Sequence, residues 1–493
     1  MGESGEGKNI SHQQKKLNED ELKQFRTRFN IPISVEQVSD IPFYRPKEDS
    51  EEMKYLRARR ESLGGYVPSR QETSEPLKTP SEELFEEFYK GTEGREVSST
   101  MVYVRILTKL LKDKDVGQLI VPIIPDEART FGMEGLFRQC GIYSHVGQLY
   151  EPVDKDSLLY YKEAKDGQIL EEGINEAGAI SSFIAAGTAY STQGVNTIPF
   201  YIYYSMFGPQ RVGDLIWAAA DSRCRGFLVG GTAGRTTLNG EGLQHQDGHS
   251  HLLLSSVPNM VTYDPSFAFE MAVIIRDGIY RMYEKQENIF YYISVGNENY
   301  AMPQMPEGVK DGILKGLYKF QSSAKKDSKL KAHLFGSGAI INQVIGAQKL
   351  LEEKFNIACD IWSVTSYNEL RKEALHCERY NFLNPTTEQK APYITSILQK
   401  EDGVLVFASD NVKTHPDALI KWLPRRPMTL GTDGFGRSES REALRDFFEV
   451  DSFHIAFAAI VGLFREKKVD QAFVDKAAKE LKINPDKLNP MIS

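Results

Sequence analysis

At 493 residues the chain is long enough for roughly three domains, and 41% hydrophobic with 26% charged residues is the balance of an ordinary water-soluble globular protein. A formal net charge of −8, with a pI near 5.8, removes any global attraction to nucleic acid or an anionic membrane and leaves proteins and small molecules as expected partners. Cys140, Cys224, Cys359 and Cys377 form no CxxC pair, which argues against a disulfide framework or a thiolate zinc site and fits a reducing, cytoplasmic setting.

The start, Met1-Gly2-Glu3-Ser4-Gly5-Glu6, lacks the apolar core of a signal peptide and places Glu6 where a myristoylation motif needs Ser or Thr. Residues 1–80 are polar, and Pro32, Pro42, Pro46, Pro68, Pro76 and Pro80 break any long helix, so this stretch reads as an extended arm. From about 98 the pattern alternates. Ser98 or Ser99 is placed to cap a helix through Met101, Val104, Ile106 and Leu110, and an apolar strand, 117–124, runs into Pro125-Asp126-Glu127. A small-residue helix near 178–190, a strand 198–206, a helix 210–223, a strand 226–229, a helix 266–285 and a strand 288–295 follow. After a Pro- and Gly-bearing junction at 303–312, strands are expected at 332–335, 361–365, 404–408 and 428–430, with helices at 341–355 and 441–448. The longest apolar run, Ile455 to Phe464, is well under the roughly 18 residues of a membrane span. The fold class is therefore α/β: two doubly wound domains, 81–308 and 309–493, after an arm at 1–80, with ligands at the carboxyl ends of strands.

Glu176 stands alone among small and apolar residues in Gly173-Ile174-Asn175-Glu176-Ala177-Gly178, and the aromatic strand Ile198 to Phe207 offers a shelf for a flat, partly cationic cofactor. Ile174, Ala177 and Ile180 provide no ion partner, yet an ordinary first-turn glutamate fits the same pattern. Asp126-Glu127 stands where α/β enzymes place catalytic carboxylates, although a helix-start cap accounts for it too. Gly230 to Thr237 lacks the Gly-Lys-Ser/Thr of a phosphate loop. Beyond it, His245, His249 and His251 fall within seven residues. A shared helical face suits a metal, but Gly248 interrupts the helix and no HExxH glutamate is present, so acid/base use or plain hydrogen bonding is preferred. His12 lies in a polar, basic stretch and reads from its surroundings as a solvated residue.

Five runs together resemble a known family: Pro125 to Glu134, Gly173 to Gly178, Phe200 to Phe207, Leu238 to His245, and Gly431-Thr432-Asp433-Gly434-Phe435-Gly436-Arg437-Ser438. They are similar to the homodimeric pyruvate dehydrogenase component of bacterial pyruvate dehydrogenase complexes, thiamine diphosphate enzymes of the transketolase superfamily. The resemblance implies that Glu176 bonds the aminopyrimidine nitrogen and that Phe207 and Tyr204 form its stacking shelf. His245 is implied to handle substrate oxygen and proton transfer, with Asp126 and Glu127 lining the same site. Asp154 and Arg211 match the charged network around the cofactor, and His12 a loop that assists acetyl transfer to a lipoyl group. The metal reading of the histidines falls with this match. One departure stands out: no Gly-Asp-Gly occurs, so the diphosphate and magnesium ligands are expected on an amino-terminal half that this chain does not carry. The expected activity is oxidative decarboxylation of pyruvate with reductive acetylation of lipoyl, nearly absent in this chain alone. Expected partners are the dihydrolipoyl acetyltransferase, the chain's own amino-terminal half and a second copy, with no nucleic acid and no membrane. A non-catalytic dimerising fragment, an enzyme for a different 2-oxo acid and, more distantly, a metal-dependent hydrolase are the alternatives.

Overall fold

The computed structural model describes residues 6–9, 16–66, 74–125, 128–153 and 161–493. Two units are distinguished, Met1–Arg70 and Gln71–Ser493. The first contains α1 (Glu19–Arg28) and α2 (Glu51–Ser62), with Pro32, Pro42 and Pro46 between them, as their missing N–H groups require. A reciprocal capping box joins Asn18 and Glu21 at the start of α1, and Ser50 caps α2; only Met53 of the two helices is buried.

The second unit is built on two sheets. The first has six strands, all parallel: β1 (Ile120–Ile124), β2 (Leu170–Glu171), β3 (Ile198–Tyr204), β4 (Phe227–Gly231), β5 (Met260–Tyr263) and β6 (Phe290–Ser294), in the order β2-β1-β3-β4-β6-β5. β3, β4, β5 and β6 are buried almost throughout, which is why they read as continuous apolar runs rather than alternating ones. α3 (Ser99–Leu110), α4 (Glu176–Gly187), α5 (Pro209–Asp221) and α6 (Ala268–Ile279) supply helices around it. Ser98, rather than Ser99, caps α3, its hydroxyl accepting from Met101 N. α6 gives way to a π-helical turn at Tyr280–Glu284, which ends the long helix expected to reach 285.

The second sheet holds β7 (Leu317–Gln321), β8 (Lys331–Gly336), β9 (Ala358–Val364), β10 (Val404–Ala408) and β11 (Met428–Leu430), in the order β7-β9-β8-β10-β11. Its strands are parallel except β7, which runs against β9. α7 (Ile341–Phe355), α8 (Tyr367–Leu383), α9 (Arg441–Phe447) and α10 (Ser452–Arg465) accompany it. One hydrophobic cluster draws on both sheets, from Phe85 to Leu481. By length and composition the stretch Arg441–Arg465 is apolar enough to cross a membrane, longer than the Ile455 to Phe464 run suggested. It is nevertheless broken between Phe447 and Ser452, and Ile455, Ala459, Ile460 and Leu463 of α10 are core residues.

Candidate functional site

β1 is followed in sequence by β2 on one side of it and by β3 on the other, so the strand order reverses there, and α/β sheets open a crevice at such a reversal. The residues after β2 and β3 meet at this place. Asn175 caps α4 by accepting from Gly178 N at 3.0 Å, which makes Glu176 the first helical residue, where the helix dipole favours an anion. Its side chain is 9% exposed, and both carboxylate oxygens lie 3.1 Å from Nη1 of Arg211. The sequence neighbours offered no ion partner; the fold supplies one from α5, 35 residues on.

β3 ends at Tyr204, and a tight 3-10 turn, Ser205–Phe207, turns the chain into α5, which starts on Pro209. Gly208 permits the turn, because a Cβ there would stand 2.3 Å from the Tyr203 ring. The rings of Tyr204 and Phe207 meet edge-on at 5.9 Å, and the His245 imidazole lies 5.1 Å from the first and 5.5 Å from the second. The Arg211 guanidinium sits 4.0 Å from the centroid of Phe207. One planar delocalised cation is thus held at once by a desolvated carboxylate and an aromatic face. Glu176, Tyr204, Phe207, Arg211 and His245 are brought together; His12, Asp126, Glu127 and Asp154 lie outside the described residues.

His245 ends a 3-10 turn, Leu243–His245, and among the described residues its buried Nδ1 has no hydrogen-bond partner, with Glu241 Oε2 at 3.7 Å, beyond bonding reach. The other two histidines do not join it. His249 Nδ1 faces an Arg235 Nη at 3.3 Å, and His251 Nε2 faces Ser294 Oγ at 2.8 Å, which in turn donates to Asp264 at 2.7 Å. Burial lowers the pKa of both rings and lowers that of His415, stacked on His251 at 5.6 Å, well below the ordinary value. His249 and His251 are each turned to a partner of their own, so among the described residues the three rings are not gathered as one donor set.

Among the described residues, metal-like donor groups occur at His333, Asp360 and Glu401 and at Asp446, Asp451 and His454. Each already holds an ammonium. Lys319 Nζ is 2.8 Å from both Asp360 and Glu401, and Lys487 Nζ is 3.1 Å from Asp446 and 3.5 Å from His454 Nε2.

Sequence reasoning missed the polar seam behind His245. Asp410, just past β10, accepts from the N–H and hydroxyl of both Thr236 and Thr237 at 2.6 to 2.9 Å. Burial raises its pKa against those bonds. Asp247, His251, Asp264, Ser294, Asp410 and Asn411 line a small polar cavity of about 30 Å³ here, enough for about one or two waters. No local motif marks these positions, and Asp410 is paired with Thr236 across 174 residues of chain.

Residues 80–303 match the family model for the pyruvate dehydrogenase E1 component middle domain, and residues 316–451 that for the transketolase-like C-terminal domain. The pyruvate dehydrogenase E1 component of Pseudomonas aeruginosa is 53% identical over 489 residues, covering 99% of this chain and 55% of that protein. That of Escherichia coli K12 is 49% identical over 496 residues, covering 100% and 55%. The chain thus spans about half the length of the curated relatives it matches. Among solved structures, transketolase from Leishmania mexicana superposes with a TM-score of 0.61 at 14% identity over 91% of this chain and 58% of that one. Transketolase from Campylobacter jejuni gives 0.58 at 15%, over 91% and 59%. At such identities the fold alone is shared, and it is the transketolase-like α/β fold. The chain thus matches the middle-domain model of the pyruvate dehydrogenase E1 component followed by that of a transketolase-like carboxyl-terminal domain, and is about 50% identical to part of proteins named pyruvate dehydrogenase E1 component.

Proposed function

We propose that this chain supplies the pyrimidine-binding side of a thiamine diphosphate site that oxidatively decarboxylates pyruvate and passes the two-carbon unit to a lipoyl group. The observation that carries the reading is the Glu176–Arg211–Phe207 arrangement, in a chain about half identical to proteins named pyruvate dehydrogenase E1 component. A buried carboxylate beside a ring that already stacks a planar cation fits an aminopyrimidine. The diphosphate end finds no such fit: the sequence contains no Gly-Asp-Gly, so the magnesium and diphosphate ligands are assigned to a separate segment. When bound, thiamine diphosphate would supply a carbon nucleophile for the 2-oxo group and an electron sink for the bond pair left behind as carbon dioxide departs.

The chain's own residues then divide the work. Glu176 holds a proton at a pyrimidine nitrogen, from a side chain buried enough to keep that hydrogen bond strong. Phe207 and Tyr204 fix the ring plane, and Arg211 balances the carboxylate charge. His245, beside both rings, is aimed to exchange a proton with a substrate oxygen. Asp126, Glu127 and Asp154 are assigned to the same site and His12 to the acetyl transfer step, on the strength of the sequence resemblance. Residues 81–308 act as the pyrimidine-binding domain, 309–493 as the transketolase-type domain and 1–80 as the arm, in a cytoplasmic homodimer serving an acetyltransferase core.

Pyruvate decarboxylation with thiamine diphosphate and magnesium, measured on this chain alone and co-expressed with a family amino-terminal half, tests the reading. Activity is expected only in the co-expressed sample. Activity in neither sample would favour a non-catalytic fragment, and activity of the chain alone would refute the assignment of the diphosphate ligands elsewhere.

A further inference from the structure

We propose that the loop Gly431–Ser438 of the second α/β domain is a positioning element for His245 and that Gln246 is the residue through which it acts. The inference deepens the proposed function and rests on it for the role of His245. Among the described residues the imidazole has no hydrogen bond to Nδ1, and the contacts that flank it are the Tyr204 and Phe207 rings and its own backbone. That backbone is clamped one residue later. The Gln246 amide, 1% exposed, pairs with the Arg437 peptide in both directions: Oε1 accepts Arg437 N–H at 2.6 Å and Nε2 donates to Arg437 O. A side-chain amide bonded this way copies one rung of a strand ladder, fixing both direction and plane.

Other contacts hold the same segment to the same domain. Gly240 N donates to Glu439 O at 3.2 Å, Val412 N to Gly248 O at 2.8 Å, and an Arg235 Nη to Thr432 O. The sequence makes the clamp tight by placing Gly436 against it, since a Cβ there would stand 2.6 Å from Gln246 Oε1 and 2.7 Å from its Cβ. The loop is itself backed by the chain's last residues: Pro490 O lies where a Cβ on Gly434 would be, and an Arg437 Nη donates to Ser493 O. A line of direct contacts therefore runs from residues 490–493 through the loop and Gln246 to the imidazole.

Histidine-ring NMR of the chain as it stands tests this without cofactor, because ring currents from Tyr204 and Phe207 make the His245 Hε1 signal a gauge of its position. The signal is assigned among the nine histidines by its loss in His245→Asn. Gln246→Ala and Gly436→Ala are expected to move it while the His333 and His454 signals stay in place. In enzyme completed with the amino-terminal half, both substitutions are expected to lower kcat about tenfold or more, with KM for pyruvate little changed. If one variant fails to fold, the other decides. An unmoved His245 signal in a folded variant overturns the proposal, even if the melting temperature falls. A moved signal in a chain whose completed enzyme does not decarboxylate pyruvate upholds the positioning and rejects the proposed function instead.

Discussion

Glu176 and Arg211 form an ion pair, yet they do different things for the site. The carboxylate is desolvated and sits at a helix start; the guanidinium is half exposed and spread over Phe207. Under the proposed function, Glu176→Ala in a completed enzyme is expected to reduce pyruvate decarboxylation by about a hundredfold or more, the lower range for loss of a proton-transfer group. His12→Ala is expected to spare that step and slow reductive acetylation of a lipoyl domain. Parallel assays of carbon dioxide release and lipoyl acetylation check both, and equal loss of the two rates in His12→Ala would remove the role given to that residue. The local sequence showed the isolation of Glu176 and the aromatic run ending at Phe207, because both are matters of neighbouring residue types. It could not show the Arg211 pairing or the Gln246–Arg437 pairing, since these join residues 35 and 191 positions apart.

At the scale of elements, the legible parts of the fold were those with an uninterrupted pattern. β10, β11 and α7 fall where the apolar runs and helical spacing place them. β2, with two residues, and β5, the four residues Met260–Tyr263, are too short to carry a period of their own and form because β1 and β6 present ladders to them. β7 runs antiparallel after Gly316, a reversal made possible by a left-handed backbone, φ 102°, with no room for a Cβ beside Ser366 O. The β3–α5 turn has the same dependence on a missing side chain. Gly208→Ala should cost about 1–3 kcal/mol by forcing the fully buried Tyr203 ring aside, seen as a lower denaturant midpoint with an unchanged slope. Because Phe207 immediately precedes it, the change is expected to weaken cofactor binding in the completed enzyme as well. A normal midpoint with normal binding would show that the turn tolerates a Cβ.

Across the whole molecule, the seam joining the two sheets is polar, buried and lined by titratable groups. His251 and His415 stack there with pKa values lowered by burial, that of His415 also by the His251 charge, while Asp264 and Asp247 pull His251 the other way. Tyr367 packs edge-on against His415 at 4.9 Å. A group with a depressed folded pKa binds its proton mainly in the unfolded chain, so stability is lost as pH falls below 6.5. Asp410 and Glu270, raised by burial, act in the opposite sense in the acid range, binding their protons more readily when folded. The melting temperature is therefore expected to drop between pH 6.5 and roughly 5.5, and His415→Phe, which keeps a ring in the stack, should make that drop smaller. Equal pH dependence in the two proteins would place the sensitivity elsewhere.

The two lysines set among metal-like donors have a consequence for how the fold responds to its surroundings. Lys319 and Lys487 are cations tethered by their own side chains, so each offsets one of the two carboxylate charges in its cluster without drawing on a dissolved ion. A tethered charge cannot be diluted, chelated or replaced by a competing metal. Treatment with a strong chelator is therefore expected to leave the melting temperature of this chain unchanged, whereas Lys319→Met should lower it by stranding Asp360 and Glu401 together. A chelator-induced fall would mean that a bound ion, and not the lysine, stabilises one of these clusters. With a lysine in each cluster, the second domain is expected to hold its fold without added metal, so that dependence on magnesium in a completed enzyme would be confined to cofactor binding.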